Sequence, residues 1–168
     1  MQLVVNVTEN WGIGMENQLL VTISADLKRF RQLTTGKTVI LGRSTLATFP
    51  GGRPLKNRRN LVLSRNPNLI IEGAEVYPDI PSLLAAIKDL DQDSVSVIGG
   101  ASVYEALLEY CDTAFVTKTL LTPPADRFFP NLDELPNWNI VSRSEVCEEN
   151  GISYQYVDYI NTAPRALP

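Results

Sequence analysis

The sequence predicts an α/β protein: a mixed, mainly parallel sheet flanked by helices, with an antiparallel hairpin at its C-terminal end. Three observations carry that reading. Short apolar runs alternate with helix-patterned segments and turns along the first part of the chain, the rhythm of βαβ units. Two of those runs, TVILG (38–42) and SVSVIGG (94–100), end in glycine and pass directly into helical sequence. The last two runs are joined by the acidic turn CEENG (147–151), which reads as a hairpin.

In chain order, LVVNV (3–7) is rich in β-branched residues and reads as the first strand. In ISADLKRFRQL (23–33), Asp26, Phe30 and Leu33 recur at i, i+4 and i+7 beside Leu27, while Lys28, Arg29, Arg31 and Gln32 face away, so a helix begins at Ser24. TVIL (38–41), NLVLS (60–64), LII (69–71) and AEVY (74–77) are short apolar runs. PSLLAAIKDL (81–90) is helical, SVSVIGG is a strand, and ASVYEALLEY (101–110) is a further helix. TAFVTKTLL (113–121), WNIVSRSEV (138–146) and ISYQYVDYI (152–160) complete the strands. At 168 residues, 44% of them hydrophobic, the chain suits one domain with a core large enough to shape a pocket. No repeat or linker interrupts it, so 1–160 reads as a single domain and NTAPRALP (161–168) as a loose tail.

Composition narrows the chemistry. The absence of histidine removes Ser-His-Asp hydrolysis, Cys-His proteolysis and His-ligated metal sites together. Cys111 and Cys147 form no CxxC pair, so both read as ordinary thiols and no metal is expected. The N-terminal stretch has no basic lead before an apolar run, and no apolar segment approaches the roughly 18 residues of a membrane span, so the chain reads as cytoplasmic. The sequon Asn6-Val7-Thr8 accordingly reads as unmodified. Net charge is -4, yet ten of the 15 Lys and Arg residues lie between Asp26 and Glu72, a window without any acid. Such a field favours an anionic ligand. The bases are dispersed through strand-like runs without an aromatic-rich motif, so a small ligand carrying phosphates and carboxylates suits them better than nucleic acid.

The two glycine junctions resemble anion seats, because glycine lets backbone approach a ligand and a helix start presents free N–H groups. Neither matches GxGxxG. TTGKT (34–38) is not a P-loop: Arg31 stands where the first glycine is required, and the GKT follows a helix instead of opening one. The inward Asp26 admits two readings. It is either a first-turn acid, with Ser24 as N-cap, favoured by the helix dipole, or a carboxylate set at the mouth of an apolar slot.

The spaced segments WGIGMEN (11–17), ADLKRFRQLTTGKTVILGRSTLATFPG (25–51), PLKNRRNLVLSR (54–65), VIGGASVYE (97–105) and ADRFFP (125–130) resemble the dihydrofolate reductase family over essentially the whole chain. The resemblance implies a mixed eight-stranded sheet flanked by helices and the reduction of 7,8-dihydrofolate to tetrahydrofolate with NADPH. It also implies a monomer with a small-molecule substrate, antifolate inhibitors, and neither nucleic acid nor membrane as partner. Carried over by position, Asp26 is the catalytic pocket carboxylate, bonding the pterin 2-amino group and N3 and raising the proton affinity of N5. Phe30, Leu27, Leu55 and Val5 would wall the pterin and aminobenzoyl slot, Thr117 would join the Asp26 network, and Tyr104 would border the nicotinamide. Arg58 would pair the α-carboxylate of the glutamate tail, a task for a planar bidentate cation. For the cofactor, Gly42, Arg43, Ser44 and Thr45 would hold phosphate, and Ser64 and Arg65 the 2′-phosphate side. Gly99, Gly100, Ala101, Ser102 and Val103 would form the second seat, with a cis Gly-Gly bond, and Ile13 would approach the cofactor from GIGMENQLL (12–20), the mobile loop.

Some positions depart from the family pattern. Leu20-Val21-Thr22-Ile23-Ser24 replaces a segment that usually carries Pro-Trp, which puts proton delivery and loop closure in question. Asn6 stands for a small apolar residue near the pterin floor, Ala125 for a glycine, and Ser102 where some bacterial members have an arginine. Two alternatives follow: a reductase of the same fold acting on a riboflavin precursor, which would lack the Asp26 and Arg58 pair, and a non-catalytic pterin- or nucleotide-binding relative.

Overall fold

The computed structural model describes residues 1–16 and 18–168; Asn17, within the expected mobile loop, lies outside them. The chain begins with β1 (Gln2–Thr8), β2 (Gly12–Met15) and β3 (Gln18–Leu19), then α1 (Ser24–Thr34), β4 (Thr38–Gly42) and α2 (Arg43–Leu46). It continues with β5 (Arg59–Leu63), β6 (Ala74–Tyr77), α3 (Ile80–Ile87), β7 (Val95–Gly99) and α4 (Ala101–Leu107). It closes with β8 (Thr113–Thr119), β9 (Arg127–Phe128), β10 (Trp138–Arg143), β11 (Cys147–Glu149) and β12 (Ile152–Asn161).

The main sheet runs β10-β12-β8-β1-β7-β4-β5-β6, with β11 beside β12. Pairings from β8 through β6 are parallel, and β12 is antiparallel to both β8 and β10. The expected mixed sheet is therefore present, with one extra short strand. Every residue of β7 is buried, Ser96 included, as are Thr38 to Leu41 of β4, so neither strand has a solvent-facing side. Because β1, β7 and β4 are parallel neighbours, their C-terminal ends open at one edge of the sheet, where α/β folds place ligands.

The structure differs from the sequence reading in several places. LII (69–71) forms no strand, and α4 ends at Leu107, passing into a 3-10 turn over Leu108–Tyr110. The hairpin is β11–β12, turned at Asn150 and Gly151, both with positive φ, the requirement of a tight primed turn; β10 pairs instead with the far half of β12 across a bulge at Ile140/Ser142. A second sheet, β3-β2-β9, is built from strands too short to leave a periodic signal. It is pinned by Trp11, whose ring stacks on Phe129 and meets the edge of Tyr159. The tail read as loose makes specific contacts: the Arg165 N–H donates to the Glu109 carbonyl at 2.7 Å, and Leu167 packs against the core.

Gly12 holds the small sheet against β1. A methyl group there would lie 2.8 Å from Thr8 Oγ1, 2.9 Å from the Ala125 Cβ and 3.0 Å from Leu20 Cδ1. Gly12→Ala is expected to destabilise the fold by about 1–3 kcal/mol, the usual range for an overpacked site. A lowered urea midpoint at unchanged slope would show it, and an unaltered midpoint would mean that the neighbours yield freely.

Candidate active site

A cleft of about 630 Å³ opens at the C-terminal ends of β1, β4 and β7 and is walled on one side by α1. The helix supplies that wall because Asp26, Leu27, Phe30 and Leu33 share one face, and all four line the cleft. Its entry is not capped as the sequence suggests. Ile23 is the N-cap residue and Ser24 already lies within the helix, so the expected Ser24 cap is absent. The Glu149 carboxylate, from the β11–β12 hairpin, takes its place, accepting from Ser24 N at 2.7 Å, Ser24 Oγ at 2.6 Å and Ala25 N at 3.2 Å. A cap borrowed from a segment more than a hundred residues away leaves no local trace.

These bonds to Ser24 and Ala25 hold the Glu149 carboxyl below the usual carboxylate range. A lowered folded-state value means stabilisation that is present at neutral pH and is lost as pH falls through that value. Glu149→Gln is therefore expected to lower the thermal midpoint at neutral pH, with the difference from the parent chain closing in acid. A gap that persists unchanged at low pH would contradict the assignment.

With Glu149 on the free N–H groups, Asp26 makes no cap bond and turns to the sheet. Its Oδ1 accepts from Thr117 Oγ1 at 2.5 Å on β8, and its Oδ2 accepts from Asn6 Nδ2 at 3.0 Å on β1. An ionised carboxylate has about four acceptor positions. Among the described residues two are filled, both from the sheet and one on each oxygen, leaving one on each for a ligand that presents two parallel N–H groups. The negative charge is felt nearby: burial, and after it Asp26, pushes the Tyr104 phenol well above its ordinary range, and the same two causes push Tyr156 up to about 12. Tyr104 is buried and donates to the Val4 carbonyl at 2.7 Å, so it forms part of the cleft floor without offering an exchangeable proton at neutral pH.

The other end of the cleft is built from glycine. Gly99 and Gly100 are joined by a cis peptide bond, and Gly99 has φ of +132°, a conformation that favours glycine. A Cβ would stand 3.3 Å from Thr45 Oγ1 at Gly99 and 3.1 Å from it at Gly100. Side chains there would fill the space between the β7–α4 junction and α2. Neither α2 nor α4 has a side-chain cap at its start.

Of the expected site residues, Val5, Leu27, Phe30, Thr117 and Tyr104 line the cleft with Asp26. So do Ile13, Gly42, Ser44 and Thr45, and Gly99, Gly100, Ala101 and Ser102 on the glycine side. Six others fall outside its lining. Val103 is buried against Gly42, and Leu55 packs with the cluster around Val39 and Leu41. Arg43 and Arg65 are exposed, Ser64 lies beside Arg65, and Arg58 sits at the far end of α1. The Arg58 guanidinium donates from Nε to the Lys56 carbonyl at 2.9 Å and from Nη1 to Thr34 Oγ1 at 3.0 Å. Not all of the basic window is free for a ligand: Arg29 pairs with Asp158 at 3.2 Å and Arg59 with Glu75 at 2.6 Å. Sequence reasoning missed Phe49 and Ile98 in the lining and assigned Asn6 no partner. A polar residue inside LVVNV was the available signal for Asn6.

The comparisons with known proteins agree with this geometry. A family profile described as dihydrofolate reductase matches residues 1–161. The dihydrofolate reductase of Bacillus subtilis (strain 168) is 34% identical over 149 residues, covering 88% of this chain and 86% of that one. The type 3 enzyme of Salmonella typhimurium is 34% identical, covering 90% and 91%. A solved structure, dihydrofolate reductase from Enterococcus faecalis complexed with NADP(H) and RAB-propyl, superposes with a TM-score of 0.85 at 30% identity, covering 95% of both chains. From one end of the sheet to the other, then, the chain belongs to the dihydrofolate reductase family.

Proposed function

We infer that the cleft takes 7,8-dihydrofolate at its Asp26 end and NADPH at its glycine end, and that the enzyme reduces the one to 5,6,7,8-tetrahydrofolate with the other. The observation that carries this is the Asp26 carboxylate, held by Thr117 and Asn6 with one acceptor position left on each oxygen. The amidine-like edge of a pterin, with its 2-amino group and N3, presents two parallel donors and completes the set. Leu27, Phe30 and Val5 offer apolar surface to the flat ring.

The residues at the other end fit a dinucleotide. The space that a Cβ at Gly99 or Gly100 would fill lets backbone approach a phosphate, while Ser44 and Thr45 stand at the opposite rim. Arg43 and Arg65 are exposed cations outside the cleft lining, in positions suited to phosphates that extend beyond it. When bound, NADPH supplies the hydride. The protein's share is orientation and proton management. Asp26 fixes the pterin and raises the proton affinity of N5, and the apolar walls exclude water from the reacting face. One chain supplies both walls of the cleft, so the active unit is taken to be a monomer.

Oxidation of NADPH on adding dihydrofolate tests the reading and separates it from reduction of a riboflavin precursor and from ligand binding without turnover. No oxidation, with NADPH still bound, would overturn it. Arg65 refines the test. Arg65→Ala is expected to raise the KM for NADPH by about tenfold or more, the loss of one charged hydrogen bond, while leaving that for NADH nearly unchanged. Equal losses for both cofactors would remove Arg65 from the 2′-phosphate site.

A further inference from the structure

We propose that Asn6 is a positioning residue for the Asp26 carboxylate and that Thr119 fixes the direction in which Asn6 points. The proposal rests on the reading of Asp26 above and extends it to Asn6, which also lines the cleft, and to Thr119 behind it.

The geometry is set by the sheet. β1 and β8 are parallel, with Asn6 paired to Thr117 in register, so Thr119, two residues on, emerges on the same face of β8. Asn6 thus has one threonine beside it and one diagonally above. Its Nδ2 donates to Asp26 Oδ2 at 3.0 Å, and its Oδ1 accepts from Thr119 Oγ1 at 2.7 Å. A carboxylate can only accept, so the amide must present nitrogen to Asp26 and turn its oxygen toward Thr119. Thr119 is fully buried, and its hydroxyl satisfies that oxygen. The result is a one-way chain, Thr119 to Asn6 to Asp26, which joins the direct bond from Thr117.

The consequence is directional. Thr117 alone holds one oxygen and leaves the carboxylate free to rotate about that contact. A second donor on the other oxygen fixes its plane. The titratable groups around Asp26 do not duplicate this role. Tyr104 on α4, Tyr154 and Tyr156 on β12 are all raised above their ordinary range, burial first among the causes. Arg29, one turn along α1, is committed to Asp158 and lies over the Tyr156 ring.

The test is a double-mutant cycle on the full-length enzyme with Asn6→Leu, Thr119→Val and both together, and with Asn6→Ala as a second form of the first change. Dihydrofolate affinity and the single-turnover hydride rate are followed at neutral pH. NADPH affinity reports the fold. Asn6→Leu and Asn6→Ala are each expected to weaken dihydrofolate by about tenfold. Placed on Asp26→Asn, Asn6→Leu adds little further loss, because the carboxylate through which it acts is gone. Thr119→Val gives a smaller change in the same direction, and the double variant is no worse than Asn6→Leu alone, as expected of two links in one chain.

Additive losses, or an unchanged dihydrofolate affinity in an Asn6 variant that still binds NADPH, would overturn the proposal. Asp26→Asn, measured alongside, separates the two levels. If Asp26→Asn is crippled while the Asn6 variants match the parent, only the role of Asn6 falls; if Asp26→Asn is chemically normal, the reading of Asp26 falls and takes this one with it.

Discussion

Asp26→Asn is expected to keep the fold and NADPH binding yet lower turnover at neutral pH by roughly 10²–10⁴, the usual range for a lost acid-base group. The amide is nearly isosteric, and the glycine end of the cleft is formed by different elements, so neither folding nor cofactor binding depends on the charge. The loss follows from the bond pattern. An amide placed between Thr117 and Asn6 cannot accept from both and still offer two acceptor positions to a pterin edge. It also cannot stabilise a proton on N5. The deficit shrinks in acid, where dihydrofolate arrives protonated from solution, so the variant rate climbs as pH falls while the parent rate levels off. Had Asp26 been a capping acid, the variant would melt earlier and react normally. The Glu149 carboxylate already occupies the first-turn N–H groups of Ser24 and Ala25, which assigns that role to another residue.

Arg58→Leu is expected to weaken dihydrofolate and other ligands with a glutamate tail by about 10–10²-fold, while a small diaminopyrimidine inhibitor without the tail binds nearly as before. Arg58 is half-buried, with Nε on the Lys56 carbonyl and Nη1 on Thr34 Oγ1. Burial, then the nearby Arg31 cation, lowers its pKa from the ordinary arginine value, so an incoming carboxylate would counter the Arg31 repulsion and offset the burial by charge pairing. Two bonds to the protein hold the guanidinium in place, which limits what ordering it costs on binding. Arg58→Lys should recover only part of the affinity, because an ammonium lacks the planar fork. Equal weakening of ligands with and without the tail would make Arg58 a brace between Thr34 and Lys56 and nothing more. Titration of dihydrofolate and the diaminopyrimidine by quenching of intrinsic fluorescence is enough to decide.

Much of this was legible from residues alone because it depends on local pattern. The i, i+4, i+7 recurrence of Asp26, Phe30 and Leu33 determined a helix with a carboxylate on its apolar face, and that face lines the cleft. Short, mostly apolar runs ending in Gly42 and Gly99 determined buried parallel strands and open junctions at their ends. The family motifs, spread from residue 11 to residue 130, determined the fold and the reaction.

What only the tertiary structure decided are the partnerships between distant segments. Asn6 and Thr117 come together because β1 and β8 pair in parallel with those residues opposite each other, across more than a hundred residues of chain. No sequence period records that register. Glu149 reaches α1 because the β11–β12 hairpin folds back over its start, and Ser24, a good N-cap by type, becomes a donor within the helix. The division of the basic window is of the same kind: Arg29 and Arg59 meet acids on β12 and β6, while Arg43 and Arg65 stay exposed. Helices and buried strands are chosen by side chains a few positions apart, so a single segment suffices to predict them. Hydrogen bonds between polar side chains depend on where unrelated segments meet, and that is settled only when the whole sheet has formed.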